Sequence, residues 1–132
     1  MDPNSIAETA EPKVANDSSG IYSSAIVLNI QSMNPSASSD ARWKIHGLRS
    51  FVEEELKKNH CLPFIAITET WLKTYIKDAQ INIPNYNVKR SDRGKRKGGG
   101  VLLYSHVDVP ISSYSKFDDG TCEVVFCRFD TK

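Results

Sequence analysis

The apolar residues fall into short clusters whose spacing changes along the chain. At 25–30, Ala-Ile-Val-Leu-Asn-Ile is rich in β-branched side chains and predicts a buried strand. Residues 31–39 hold Asn34, Pro35 and several serines, which predict a loop, with Ser39 or Asp40 as the cap of a helix. Over 41–59 the period changes. Ile45, Leu48, Phe51, Val52 and Leu56 recur at three- and four-residue steps, and Glu53–Lys57 and Glu54–Lys58 stand four apart on the wet side. That is the pattern of an amphipathic helix. Pro63 leads into Phe64-Ile-Ala-Ile-Thr68, a second buried-strand run. Strand, helix and strand in this order predict a βαβ unit with parallel strands and a right-handed crossover.

After Trp71 the style changes. Short strands are expected at 86–91, 100–105, 109–114 and 123–129, divided by Gly, Pro, Asp and Ser clusters with no helical pattern between them. A parallel start followed by antiparallel strands predicts a mixed sheet and an α+β fold class. One helix cannot cover both faces of a five-stranded sheet, so the domain at 25–132 is expected to be partial, truncated at its C-terminus. Residues 1–24 carry few sizeable apolar side chains and are expected to form a disordered tail.

Composition narrows the class. The chain has 132 residues, the size of one domain, and Leu, Ile, Val and Phe make up about a quarter of it, which argues against wholesale disorder. Apolar runs reach only about four residues, against the ~20 that span a bilayer, and no signal-peptide pattern opens the chain. An intracellular protein, neither secreted nor membrane-bound, is the expectation. Cys61, Cys122 and Cys127 are odd in number and lack Cys-x-x-Cys spacing, which argues against a disulfide framework or a zinc cage and for inert thiols.

Two features could carry chemistry. Asn29 and Glu69 fall at or just past the C-terminal ends of the two parallel strands, where ligands gather in open α/β sheets. An amide beside a carboxylate suits Mg²⁺, a hard cation. The competing view makes Asn29 a loop cap and Glu69 a solvated turn residue. The second feature is the stretch Lys89, Arg90, Arg93, Lys95, Arg96 and Lys97, with Asp92 as its one acid. It carries +5 in a chain of net charge +1. Such a stretch can neutralise phosphates, which makes nucleic acid its natural partner, or it can be a solvated hairpin tip that guards an edge. Gly98, Gly99 and Gly100 let it turn back into a strand. Trp71 could stack on a base or lie as a lid over the sheet, and Trp43 is expected to pack. No Ser-His-Asp or Cys-His constellation, P-loop or dinucleotide fingerprint is present.

The order of segments is itself informative. Leu28-Asn-Ile-Gln-Ser32, a helix, Ile67-Thr-Glu-Thr-Trp-Leu72, Asn85-Tyr-Asn-Val-Lys-Arg-Ser-Asp-Arg93 and Gly98-Gly-Gly-Val-Leu-Leu-Tyr-Ser105 resemble the endonuclease/exonuclease/phosphatase superfamily. Within it, the chain is most similar to the apurinic-type endonuclease of non-LTR retrotransposon polyproteins, over roughly 25–130; the Thr-Glu-Thr-Trp-Leu run and the basic stretch speak against the phosphatase branch. The resemblance implies the N-terminal half of a four-layer α/β sandwich. It makes Glu69 the Mg²⁺-binding glutamate and Asn29 the active-site asparagine, with Gln31 where some members carry an aspartate. It implies Mg²⁺-assisted attack of water on a DNA phosphodiester, and nuclear activity for a complete relative. The family's Gly-Asp-x-Asn and Ser-Asp-His motifs do not occur here, so a water-activating base is missing and the chain alone is expected to be inactive. A non-catalytic nucleic-acid-binding module working through 89–97, or a remnant without function, are the alternatives.

Overall fold

The computed structural model describes residues 25–94 and 96–129; the tail expected at 1–24 and the basic residue Lys95 lie outside the described part. The described residues form six strands and one long helix: β1 (Ala25–Asn29), α1 (Ser39–Lys57), β2 (Phe64–Thr68), β3 (Tyr86–Ser91), β4 (Val101–His106), β5 (Ile111–Asp118) and β6 (Glu123–Phe129). A short 3₁₀ turn, Asp78–Gln80, lies between β2 and β3. The chain is therefore α+β.

The helix starts earlier than its apolar period implies. Ser38, extended at φ −168° and ψ 162°, accepts a hydrogen bond from the Ala41 N–H, so Ser39 and Asp40 lie in the first turn rather than at the cap. There the Asp40 carboxylate faces the positive end of the helix dipole. The helix also stops earlier. Asn59 adopts φ 64°, and the Asn59 and His60 N–H groups donate back to the Leu56 and Glu55 carbonyls, which closes the last turn as a Schellman motif. The surface ion pairs differ from the four-residue pairs expected. They join Glu54 to Lys57 (3.4 Å) and Glu55 to Lys58 (3.3 Å), three residues apart.

β1 and β2 run parallel in register, Asn29 opposite Thr68, with α1 as their connection. β4 then pairs antiparallel with β2, and β3 with β4, in the order β1-β2-β4-β3. The single five-stranded sheet that the sequence implies is instead a four-stranded sheet plus a separate hairpin, β5–β6. The final turn explains the split. Asp119 accepts hydrogen bonds from the Thr121 hydroxyl and from the Thr121 and Cys122 N–H groups, and Gly120 adopts φ 89°. This tight reversal makes β6 the natural partner of β5. The fifth strand begins after Pro110 and reaches Asp118, later and longer than 109–114.

The sheet has one dry face. Ile26, Ile65, Ile67, Leu102 and Tyr104 share it by register and are almost inaccessible. Ile45, Leu48 and Val52 of α1 join the same cluster, as do Leu72, Ile76, Ile81 and Ile83 from the segment before β3. Each such side chain contributes about 1.5–3 kcal/mol by leaving water. That segment is tied down at several points. The Tyr104 hydroxyl donates to the Ile81 carbonyl (2.6 Å), Arg49 donates to the Asn82 carbonyl (2.7 Å), and Arg90 donates to the Lys73 and Ile76 carbonyls. The opposite face is covered in part by the hairpin, where Phe64 meets Phe129 (centroids 4.8 Å apart) and the Lys89 ammonium sits over the Tyr114 ring. Val27, on the β1 side of that face, stays 66% exposed. Trp43 does not pack as expected: it is 70% exposed and tilted over His46.

Candidate functional site

Parallel pairing brings the ends of β1 and β2 side by side, and three short chain segments are stitched together there. The Ser32 and Met33 N–H groups donate to the Glu69 and Thr70 carbonyls (2.8 and 2.9 Å). On the other flank the Thr70 and Trp71 N–H groups donate to the Gly100 and Gly99 carbonyls (3.2 and 2.8 Å). The buried Asn34 side chain adds a cross-tie, its amide donating to the Trp71 carbonyl (3.2 Å) while its oxygen accepts from Ser36. Glu69 thus sits in the middle of a backbone weave. Asn34 was legible only as a loop former, because its partner lies 37 residues away.

Backbone strain concentrates at this end of the sheet. Gln31, Ser32, Glu69 and Trp71 all have positive φ, at 47°, 86°, 57° and 57°. Each such non-glycine residue costs about 1–3 kcal/mol and persists only where its surroundings enforce it, a pattern common at functional sites. The adjoining turn needs glycine for space as well as for conformation. A Cβ on Gly100 would lie 2.4 Å from Thr70 Oγ1, and one on Gly99 would lie 2.2 Å from Arg93 Nε. In this frame Trp71 Nε1 donates to Glu69 Oε1 at 2.9 Å, which fixes one carboxylate oxygen and leaves the other with no hydrogen bond among the described residues.

A second carboxylate closes the far side. Glu123, the first residue of β6, has a side chain only 4% exposed. It accepts from Arg93 Nε (3.0 Å), Arg93 Nη2 (3.4 Å) and the Gly100 N–H (2.9 Å). The Arg93 hydrogen bonds, outweighing burial, hold its carboxyl below the usual glutamate range. The same bonds raise Arg93, which also feels the charge of Glu69. Glu123 escaped the sequence reading. Its one signal is an acid opening an apolar strand downstream of a strongly basic stretch.

The basic stretch does not form one patch. Arg90 is turned inward: besides its two carbonyls it meets Asp92 (3.2 Å) and Asp78 (3.1 Å), with its side chain 12% exposed. Arg93 is spent on Glu123 and on the Lys97 carbonyl. Lys89 lies over Tyr114 at 4.7 Å from the ring centroid. Arg96 donates to the Gly120 carbonyl (2.7 Å) yet stays exposed, as does Lys97. Lys73 holds the turn from beneath by donating to the Arg93 and Arg96 carbonyls.

Asn29 faces Thr68 across the parallel pair and is exposed. His106 lies at the other end of β4, opposite Tyr86. At about 3.3 Å per residue it is roughly 16 Å along the strand from the Glu69 end. Among the described residues no group of three or more His, Cys, Asp or Glu side chains could hold a metal ion. With one free carboxylate oxygen at Glu69, the donor set does not fit a resident Mg²⁺. A single carboxylate oxygen is the smaller share that a protein gives where Mg²⁺ is carried mainly by phosphate and water. No helix among the described residues is long and apolar enough to cross a membrane. A scan against protein-family models finds no match, and a search of curated proteins finds no relative.

Proposed function

We propose that the chain is the first half of a DNA endonuclease domain of the non-LTR retrotransposon type, and that it does not cleave DNA by itself. The observation that carries this is the carboxylate of Glu69, held by Trp71 on a strained backbone one residue past the Asn29–Thr68 pair and next to the triple-glycine turn. In this reading the four-stranded sheet with its helix is one half of a four-layer sandwich. A Mg²⁺ ion bound with the phosphodiester would supply charge neutralisation at its oxygens. Glu69 would contribute a carboxylate oxygen to it, Trp71 would keep that carboxylate from rotating away, and Asn29 would offer an amide to the phosphate. Inactivity follows from the surroundings of Glu69. Glu123, the nearby second acid, is neutralised by Arg93, and His106 is at the wrong end of its strand. No described group is placed to take a proton from water.

The test is nicking of supercoiled plasmid with Mg²⁺. The expected result is no nicking above buffer by the wild-type chain, as for Glu69→Ala. Mg²⁺-dependent nicking that Glu69→Ala abolishes would overturn the claim of inactivity.

A second reading is favoured by Arg96 and Lys97, which remain exposed on a turn braced by Lys73. It is a non-catalytic nucleic-acid contact made through this tip alone. Affinity for duplex DNA is then expected to fall with salt, by a slope of about one per phosphate neutralised, and to drop when both residues become alanine.

A further inference from the structure

β3 is the outer strand of the sheet, and along its edge lies a cleft of about 310 Å³. Its lining includes neither Glu69 nor the glycine turn. Thr74, Ile76, Lys77 and Asp78 line it together with Val88 and Arg90 of β3 and Tyr114 and Lys116 of the hairpin. Three cations and one carboxylate line it, and the buried Asp92 carboxylate stands behind Arg90 at 3.2 Å. Lys77 and Lys116 are exposed, and Lys116 acts on the charge of the buried Asp92. Arg90 Nη1 is shut off from solvent without a hydrogen bond, and the nearest anion, Asp78 Oδ1, stands 3.1 Å away. The Asp78 side chain is itself 62% exposed. It is an exposed carboxylate resting on a largely buried cation. Tyr114 adds an aromatic wall that is 40% exposed.

Cations converging on a small cleft, with a hydroxyl at Thr74 and an aromatic ring opposite, match a phosphate group attached to a flat base. Oxyanions with several acceptor oxygens gain most from multiple charged donors. Aromatic side chains stack on bases without sequence preference. We propose that this cleft binds the phosphate of a nucleotide, with Lys77 and Lys116 contacting its oxygens, Tyr114 flanking the base, and Asp78 as the internal anion it competes with. The site does not depend on the nuclease reading, since it shares no residue with the Glu69 end of the sheet.

The experiment is a titration of the full chain, followed by amide NMR shifts, with adenosine 5′-monophosphate and separately with a short oligothymidylate. Shifts are expected at 74–78 and 114–116. Lys77→Ala combined with Lys116→Ala is expected to weaken binding by about tenfold or more, because two charge-assisted contacts are lost. Asp78→Asn is expected to strengthen it a few-fold by removing the competing charge, an effect that damage to the fold would not produce. Both lysines are surface residues, so circular dichroism of the double variant should match wild type. A mononucleotide that binds as tightly as one site on the strand assigns the cleft to free nucleotides; binding of the strand alone assigns it to nucleic acid. No shifts, shifts confined to other residues, or a double variant that binds as wild type would overturn the proposal. Strand binding that survives the double variant but is lost with Arg96→Ala and Lys97→Ala would also overturn it, and would credit the turn instead.

Discussion

The two faces of the four-stranded sheet are covered by different means. On one face, α1 and the pinned segment before β3 bury isoleucines and leucines to a few per cent exposure, and Tyr104 completely. On the other face the cover is a two-stranded hairpin whose outward residues Phe117, Val124 and Phe126 are 53%, 42% and 54% exposed. The first face is held by apolar burial. The hairpin is held largely by polar links: Arg93 with Glu123, the Ser91 hydroxyl with the Phe117 carbonyl, and Arg96 with the Gly120 carbonyl. Two strands alone are marginal in water, so the hairpin depends on these links to stay docked. The Glu69 end of the sheet lies where the two regimes meet, because Gly100 touches Thr70 on one side and Glu123 on the other.

That difference can be broken from either side. Ile65→Ala, at a fully buried position, is expected to cost about 2–5 kcal/mol, read as a lower denaturant midpoint of the whole chain. Glu123→Ala is expected to cost about 1–3 kcal/mol by leaving Arg93 and the Gly100 N–H without their partner. Its signature is local, a loss of amide-exchange protection in β5 and β6 ahead of the sheet. The pH dependence has a fixed sign. The folded carboxyl of Glu123 lies below its ordinary value of 4.5, so its stabilisation is fully present above that pH and is lost as the pH falls through the folded value. Hairpin protection should therefore fail on acidification, and Glu123→Gln should remove that dependence. Gly100→Ala is expected to cost about 1–3 kcal/mol from the backbone at φ 92°, and more from the clash with Thr70, with a change in Trp71 fluorescence as the weave moves. Phe126→Ser should change stability by less than about 0.5 kcal/mol, the range for surface positions away from special features.

The parts legible in the sequence are those governed by local period. The 3.6-residue pattern at 45–52 and the apolar runs at 26–30 and 64–67 place α1, β1 and β2 correctly, because burial on one face dictates the residues directly. The helix ends were less legible, since Ser38 and Asn59 act through backbone geometry that the apolar period does not encode. The split into sheet and hairpin was hidden for a related reason. β5 carries Ser112, Ser113, Ser115 and Lys116 among its few apolar residues, so its pattern says strand but not which partner. At the candidate site, Glu69 and Asn29 were visible from their positions at strand ends. Arg93 reads as a free cation because its carboxylate partner, Glu123, is 30 residues away; for Arg90 the adjacent Asp92 is visible in sequence, but the Ile76 carbonyl, 14 residues off, is not. Linear charge density could not register those pairings.

On the proposed reading, Glu69 would share a Mg²⁺ ion with a DNA phosphate. The most direct test of this is the affinity of the chain for a labelled DNA duplex at constant ionic strength, measured by fluorescence anisotropy with and without Mg²⁺, for wild type and Glu69→Ala. Tighter binding on addition of Mg²⁺ in the wild type, absent in a folded Glu69→Ala variant, is the result expected. An identical response to Mg²⁺ in both proteins would contradict it.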